Sequence, residues 1–322
     1  KNIGIDWSKS TVNSWVVRII QTLVPIFEEL EKQVIKSPYL NIDETTIPIL
    51  IKGESKTKKG YIWGVVSPET GLMSFKYDQG SRSSKVLEDI LENYSGTIQS
   101  DGYAAYKNIG KGKNGKRIRR IACLAHIRRA FFESEPTDPR AKEGLEYISR
   151  LYSVERACYD PERPPDKKMT EEQIKQYRLT HSVPILKEFY RWLQRKSRDE
   201  SVLPRSSFGK AVTYAFNEFP WLINYLRKGS YRIDNNAAER VMRAPVLGRK
   251  NYMFCGEHAG GKRAAQIYSL IASCKMNNIE PIAYLEDILA RLMDHNHLKL
   301  HELLPNKWKP VEDKIIIKDP QF

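Results

Sequence analysis

The chain has 322 residues and a formal net charge of +14, with 53 Lys and Arg against 39 Asp and Glu. A hydrophobic fraction of 41% with 18 Gly and 17 Pro is that of a globular protein with room for a core, and it excludes collagen-like and low-complexity classes. No apolar run approaches the roughly 18 residues of a membrane span and no basic amphipathic helix suggests a membrane surface, so the positive excess points to a polyanion, nucleic acid first. The opening KNIGIDWSKS lacks the apolar core of a signal peptide and reads as a chain cut from something longer. Cys123, Cys158, Cys255 and Cys274 form no CxxC pair, which fits a reducing cytosol rather than a disulfide scaffold or a zinc ribbon.

In chain order, residues 10–36 place Val12, Val16, Ile19, Leu23, Phe27, Leu30 and Val34 at intervals of three and four, predicting a helix kinked or restarted at Pro25. The period changes at Pro38. Residues 39–51, 61–67 and 72–77 are short, β-branched and aromatic, and predict a three-strand meander. Residues 84–94 predict a helix with Val86, Leu87, Ile90 and Leu91 on one side, and TIQSDGYAAY a strand ending at an Asp-Gly turn. IACLA offers a fifth strand. From 126 to 228 every signal is helical: Thr170 with Gln173 resembles a capping box, and residues 209–228 close with Gly229 in the C′ position. Helices at 236–244, 262–276 and 282–294 follow, with Pro281 suited to a first helical turn. The tail from about 302 reads as loosely packed. The division expected is an N-terminal helical segment (1–37), a core in two parts (38–125 and 233–300) around a helical insertion (126–232), and a tail (301–322).

Three carboxylates stand out. Asp43 lies in an apolar strand, Asp101 ends another, and Glu239 falls in the first turn of a helix. Carboxylates on adjacent strands, closed over by one from a helix, repel one another unless they hold Mg²⁺. A pair of such ions about 3.5–4 Å apart serves phosphodiester chemistry by activating the attacking oxygen and stabilising the leaving one. Each residue also has an ordinary reading: Asp43 as a strand-edge residue, Asp101 as the first half of a turn, and Glu239 as the N3 member of a capping box opened by Asn236.

The segments NIDETTIP, IQSDGYAAY, CLAHIRRAFFE, IDNNAAERVMRAPVLGRKNYMFCG and GGKRAAQIYSLIASCKMN, in that order, resemble the transposases of the insertion sequence 66 family, from about residue 6 to LLPNKWKP. The NNAAER block with its GRKN continuation is the most specific part. The resemblance implies an α/β fold: a ribonuclease-H-like core with a mixed five-stranded sheet, flanking helices and a large all-helical insertion. It implies a catalytic and metal-binding triad of Asp43 in DET, Asp101 in SDGY and Glu239 in NNAAER, holding two Mg²⁺ or Mn²⁺ ions in the active complex. The activity implied is hydrolysis at transposon ends, followed by attack of the freed 3′-hydroxyl on target DNA. Transposon-end and target DNA would be the partners, with a homodimer in the active complex, accessory proteins of the same element, and a cytoplasmic, nucleoid-associated location. Longer family members carry an N-terminal cysteine-rich DNA-binding region that nothing here matches. Two rival readings keep part of this: a nuclease of the same fold without strand transfer, and a catalytically idle DNA-binding module.

Further residues belong around such a site. Cys123-x-x-His126 is similar to a Cys/His pair in related transposase groups, and reads either as a group positioning DNA or the metal site, or as a buried thiol beside a hydrogen-bonded His. Two ligands alone do not make a closed zinc site. From Lys107 to Arg129 the chain carries Lys107, Lys111, Lys113, Lys116, Arg117, Arg119, Arg120, Arg128 and Arg129 without an acid. Residues 240–263 carry Arg240, Arg243, Arg249, Lys250, Lys262 and Arg263 against Glu257 alone. These two clusters, with His126, supply the candidate DNA contacts, whose affinity would fall with salt. Gly256-x4-Gly261-Lys262-Arg263 lacks the Ser or Thr of a phosphate-binding loop, so nucleotide hydrolysis is not expected, although Gly260 and Gly261 opening a helix would offer N–H groups to a phosphate. His295, His297 and His301 read as a solvated patch, and Trp63, Trp192 and Trp221 as core.

Overall fold

The computed structural model of the chain describes residues 7–80, 82–107, 109, 117–251 and 255–310. In chain order its elements are α1 (Lys9–Thr22), α2 (Val24–Ile35), β1 (Tyr39–Leu50), β2 (Lys58–Ser67), β3 (Leu72–Asp78), α3 (Ser84–Ile90), β4 (Thr97–Ser100), α4 (Ala104–Lys107), β5 (Arg119–Ala122), α5 (Leu124–Ser134), α6 (Ala141–Cys158), α7 (Glu171–Ser197), α8 (Ser207–Leu222), α9 (Asn236–Asn251), β6 (Cys255–Gly256), α10 (Glu257–Met276) and α11 (Pro281–Arg291). The strands form one mixed, six-stranded sheet in the order β3-β2-β1-β4-β5, with β6 pairing to β1. The β2–β3 hairpin is antiparallel, whereas β1, β4 and β5 run parallel, with Asn41 opposite Gln99 and Gln99 opposite Ile121. The five strands expected from sequence are present. β6 adds a sixth, and at two residues it is too short to show a periodicity.

By its contacts the chain divides into two compact units, Lys1–Ser37 with Glu44–Ser81 and Val241–Phe322, and Pro38–Asp43 with Arg82–Arg240. In the first unit the helix predicted over 10–36 restarts at Leu23, which ends α1 and opens α2 with Pro25 in its first turn. Helix α2 buries Ile26, Phe27, Leu30 and Val34, whereas Val12, Val16 and Ile19 on α1 remain exposed. Strand β3 ends the sheet, so its outward N–H groups need partners elsewhere. Met73 N–H donates to Ser273 Oγ (2.9 Å) and Phe75 N–H to Ser269 Oγ (2.8 Å), two hydroxyls one turn apart on α10. Helix α10 begins at Glu257, five residues ahead of the prediction, which puts Gly260 and Gly261 inside it rather than at its N-terminus. Gly261 instead permits close packing: a Cβ there would lie 2.5 Å from the Tyr77 ring. The tail packs more firmly than expected as far as Trp308. Leu303 and Leu304 are buried, and Trp308 Nε1–H donates to Asp287 on α11 at 2.7 Å.

In the second unit, α5 to α8 surround an aromatic core in which Phe131 lies 5.7 Å from Trp192 and 6.3 Å from Phe208, centroid to centroid. Thr170 and Gln173 close a full capping box at the start of α7. The helix predicted to run to 228 leaves the α form at Leu222 and continues as a 3-10 turn over Ile223–Arg227. Gly229 is therefore no left-handed α-cap; it is needed because a Cβ would sit 2.0 Å from the Glu171 carbonyl oxygen. The buried Arg178 binds Glu155 through Nε (2.8 Å) and Nη2 (2.6 Å) and donates from Nη1 to the Lys228 carbonyl at 3.1 Å. Strand β5 ends the sheet on this side, and Asn224 Nδ2–H donates to its Arg120 carbonyl at 2.8 Å.

Replacing Ser269 or Ser273 by Ala leaves a buried β3 N–H without an acceptor and is expected to cost about 1–3 kcal/mol each in chemical denaturation. Ser153→Ala on the exposed face of α6 serves as the control and should change stability by less than about 0.5 kcal/mol.

Candidate functional site

The three carboxylates all belong to the second unit. In β1, Tyr39, Asn41 and Asp43 share a face, and in β4 and its continuation Thr97, Gln99 and Asp101 do the same. The parallel register pairs Asn41 with Gln99, and Asp43 and Asp101 each follow a member of that pair by two residues. Both aspartates are half-buried.

The segment from Tyr231 to Asn236 lies over this face, held by side chains that sequence inspection passed over. Tyr231 hydroxyl bonds Thr97 Oγ1 (2.8 Å) and Gln99 Nε2–H donates to the Arg232 carbonyl (2.9 Å). Asn41 donates to Gln99 Oε1 (3.2 Å) and to Asn235 Oδ1, and Asn235 Nδ2–H returns to the Ile42 carbonyl at 3.3 Å. Asn41, Gln99 and Asn235 are all buried. Buried amides bonded to one another position a chain firmly, because breaking one bond strands its partner in a dry site. Asn235 thereby becomes the residue before α9, and Glu239 N–H bonds its carbonyl at 3.0 Å. Glu239 is thus the fourth residue of α9 rather than the third of a capping box opened by Asn236. The signal that was available is polar Asn41 and Gln99 at the same offset, two residues before each Asp.

The turn at Asp101 is backed by α8. Asp101 accepts from Tyr103 N–H (3.0 Å), and its carbonyl accepts from Arg120, which also binds Ser100 Oγ (3.1 Å) and the buried Glu218. Gly102 N–H donates to Tyr214 Oη at 3.1 Å, and a Cβ at Gly102 would lie 2.4 Å from the Tyr214 ring. Burial, then the Glu218 and Asp101 carboxylates, hold the Tyr214 phenol well above its ordinary range.

Glu239 turns toward α5: Oε1 lies 3.5 Å from His126 Nδ1 and Oε2 lies 3.6 Å from Arg129 Nη2. Cys123 precedes α5, is fully buried, and accepts from Asn235 N–H at 3.2 Å. Leu124 N–H donates to the Ile233 carbonyl (3.0 Å), so the start of α5 and the approach to α9 are tied backbone to backbone. Burial pushes the Cys123 thiol up to about 12, against partial opposition from the Asn235 and His126 backbone. Among the described residues, Cys123, His126 and Glu239 are the one group of three potential metal ligands whose ligand atoms all lie within 4.8 Å of one another. Asp43 and Asp101 are not part of it.

Of the expected DNA contacts, Arg128, Arg129 and Arg240 are exposed in this unit, and His126 is half-buried. In the other unit Arg243 and Lys262 are exposed and Arg263 is half-buried. The side chains of Arg249 and Lys250 lie outside the described residues, as do Lys111, Lys113 and Lys116.

Glu218→Ala leaves the Arg120 charge buried without its partner and is expected to cost about 3–5 kcal/mol in chemical denaturation, with Glu218→Gln costing less. In the native chain at pH 8, iodoacetamide should label the half-exposed Cys255 and spare Cys123 until the protein unfolds, as peptide mass spectrometry reads directly.

The chain is 30% identical over 328 residues to uncharacterized protein y4hP of Sinorhizobium fredii, covering 95% of this chain and 57% of that one. It is 30% identical to y4jD of the same organism, covering 95% of this chain and 60% of that one. The chain therefore spans about six-tenths of the length of these relatives. The profile of the Transposase IS66 family matches residues 1–263, and that of the IS66 C-terminal element matches residues 269–306. With both matches in register along one chain, the protein belongs to the IS66 transposase family.

Proposed function

We propose that this chain is the catalytic part of a DNA transposase that cuts at transposon ends and joins the freed 3′-hydroxyl to target DNA. The observation that carries the reading is the parallel pairing of Asn41 with Gln99, two residues before Asp43 and Asp101, with the start of α9 pinned to these strands through Asn235. On this reading the sheet and the helices around it are a ribonuclease-H-like core, and the helices between β5 and α9 are an insertion that supports the Asp101 turn.

Two half-buried carboxylates with hard oxygen donors suit Mg²⁺ or Mn²⁺. Asp43, Asp101 and Glu239 are the residues that would hold such ions. When bound, two of these ions supply Lewis-acid activation of the attacking oxygen and stabilise charge at the leaving oxygen. The contacts of Glu239 with His126 (3.5 Å) and Arg129 (3.6 Å) are long for ion pairs, so they do not bar it from this role. Arg128, Arg129, Arg240, Arg243 and Lys262, with the net charge of +14, would bind DNA phosphates, and that affinity would fall steeply with salt. Arg263, Arg249 and Lys250 complete the proposed set. Synapsis of two ends calls for a homodimer, with accessory proteins of the same element as further partners. Among the described residues no helix is long and apolar enough to cross a membrane. The site of action proposed is the chromosomal DNA of the cytoplasm.

The test is Mn²⁺-dependent cleavage and joining with DNA carrying the element's ends and a target plasmid. Asp43→Asn should lower cleavage by more than about 100-fold, since even partners of metal ligands are worth 10–100-fold. Unchanged cleavage would overturn the triad, and cleavage by the wild-type chain without joined products would point to a nuclease.

A further inference from the structure

We infer that Cys123 Sγ, His126 Nδ1 and Glu239 Oε1 form a binding site for one zinc ion, with the fourth coordination position open. The donor set is the first reason. A thiolate, an imidazole and a carboxylate suit borderline zinc, whereas Mg²⁺ takes oxygen ligands and water. Three protein ligands and an open position are also the composition of zinc sites that accept an exchangeable group.

Distance is the second. The three ligand atoms lie within 4.8 Å of one another, and His126 Nδ1 is 3.5 Å from Glu239 Oε1. Two ligands each about 2.0–2.1 Å from a tetrahedral zinc ion sit about 3.3 Å apart. The observed separation is at the long limit for a hydrogen bond, yet close to that of two ligands on one ion. Both atoms are buried and neither has a hydrogen-bond partner. Buried polar atoms without partners are rare because each costs free energy, and an ion between them satisfies both.

The scaffold is the third. Cys123 is the extended residue just before α5, and His126 follows three residues later in the first turn of that helix. Glu239 arrives on α9, whose approach is bonded to α5 through Leu124 N–H to the Ile233 carbonyl and Asn235 N–H to Cys123 Sγ. An N–H donor on the sulfur is the kind of outer contact that orients metal-bound thiolates. Arg129 engages the other carboxylate oxygen, Oε2, and leaves Oε1 to the ion. Ligation replaces the S–H bond of Cys123 with an S–Zn bond and releases the proton to solvent. Glu239 also belongs to the proposed catalytic triad, and with zinc bound it does not serve that triad; the inference concerns the chain without DNA and stands on the cluster alone.

Co²⁺ replaces zinc as a visible probe. Titrating the full chain without DNA is expected to give one Co²⁺ per chain, with tetrahedral ligand-field bands and a sulfur-to-cobalt charge-transfer band, and Zn²⁺ should displace it stoichiometrically. Cys123→Ser should abolish the charge-transfer band, and His126→Ala should weaken binding by at least about 100-fold while the fold, read by circular dichroism, persists. Asp43→Asn should leave the spectrum as it is, which separates this site from the triad. A wild-type chain without a charge-transfer band, a band that survives Cys123→Ser in a folded protein, or binding lost with Asp43 but kept without His126 would each overturn the assignment.

Discussion

Three buried amides, Asn41, Gln99 and Asn235, decide where the second unit presents its carboxylates. Backbone pairing alone sets β1 and β4 side by side, with Asn41 opposite Gln99. It does nothing for a helix whose sequence neighbours lie almost 200 residues from β1. That alignment comes from Asn235, which receives a hydrogen bond from Asn41 and gives one to the Ile42 carbonyl. A hydrophobic contact at this point would tolerate sliding by a fraction of a turn. An amide pair in a dry site does not, because each displaced donor or acceptor loses its partner and finds no water.

The long helical stretch between β5 and α9 acts on the same site from behind. Its last helix, α8, contributes Glu218 and Tyr214, and both end at the Asp101 turn, one through the Arg120 guanidinium and one through the Gly102 N–H. Asp101 thus sits on a turn whose carbonyl and following amide are both held by groups more than 100 residues distant or buried in the sheet. At its other end the stretch is closed by Arg178, which neutralises Glu155 and caps the carbonyl at Lys228. Polar groups buried among aromatic rings fix the ends of the helices, while the rings between them supply adhesion with little directional preference.

Much of this was legible in the chain itself. The restart at Pro25, the capping box at Thr170, the Pro281 helix start and the five principal strands follow from local chemistry that no distant residue overrides. Failures came where a distant contact governed the residue. Gly229 and Gly261 read as conformational or anion-binding glycines, yet each is small because another segment approaches to within a Cβ radius. Trp308 read as part of a loose tail, but its indole N–H has Asp287 to bond. In the candidate site the three carboxylates stood out by their places, Asp43 inside an apolar strand, Asp101 at a strand end and Glu239 in a first helical turn. The closeness of Glu239 to Cys123 and His126 did not, because nothing in a Cys-x-x-His spacing announces a third group from a helix more than 100 residues later.

Both ends of the sheet are closed by side chains of helices, the Ser269 and Ser273 hydroxyls on β3 and the Asn224 amide on β5. An open strand edge is a template for any other extended chain, including a second copy of the same protein. With the outward donors of β3 and the Arg120 carbonyl of β5 already engaged, continuous sheets across two molecules carry no hydrogen-bond gain at these positions. On the proposed function, copies gather on a shared stretch of DNA at high local concentration, where edge-to-edge polymerisation is the hazard. Covering its edges lets copies crowd together while leaving their association to surfaces that disengage.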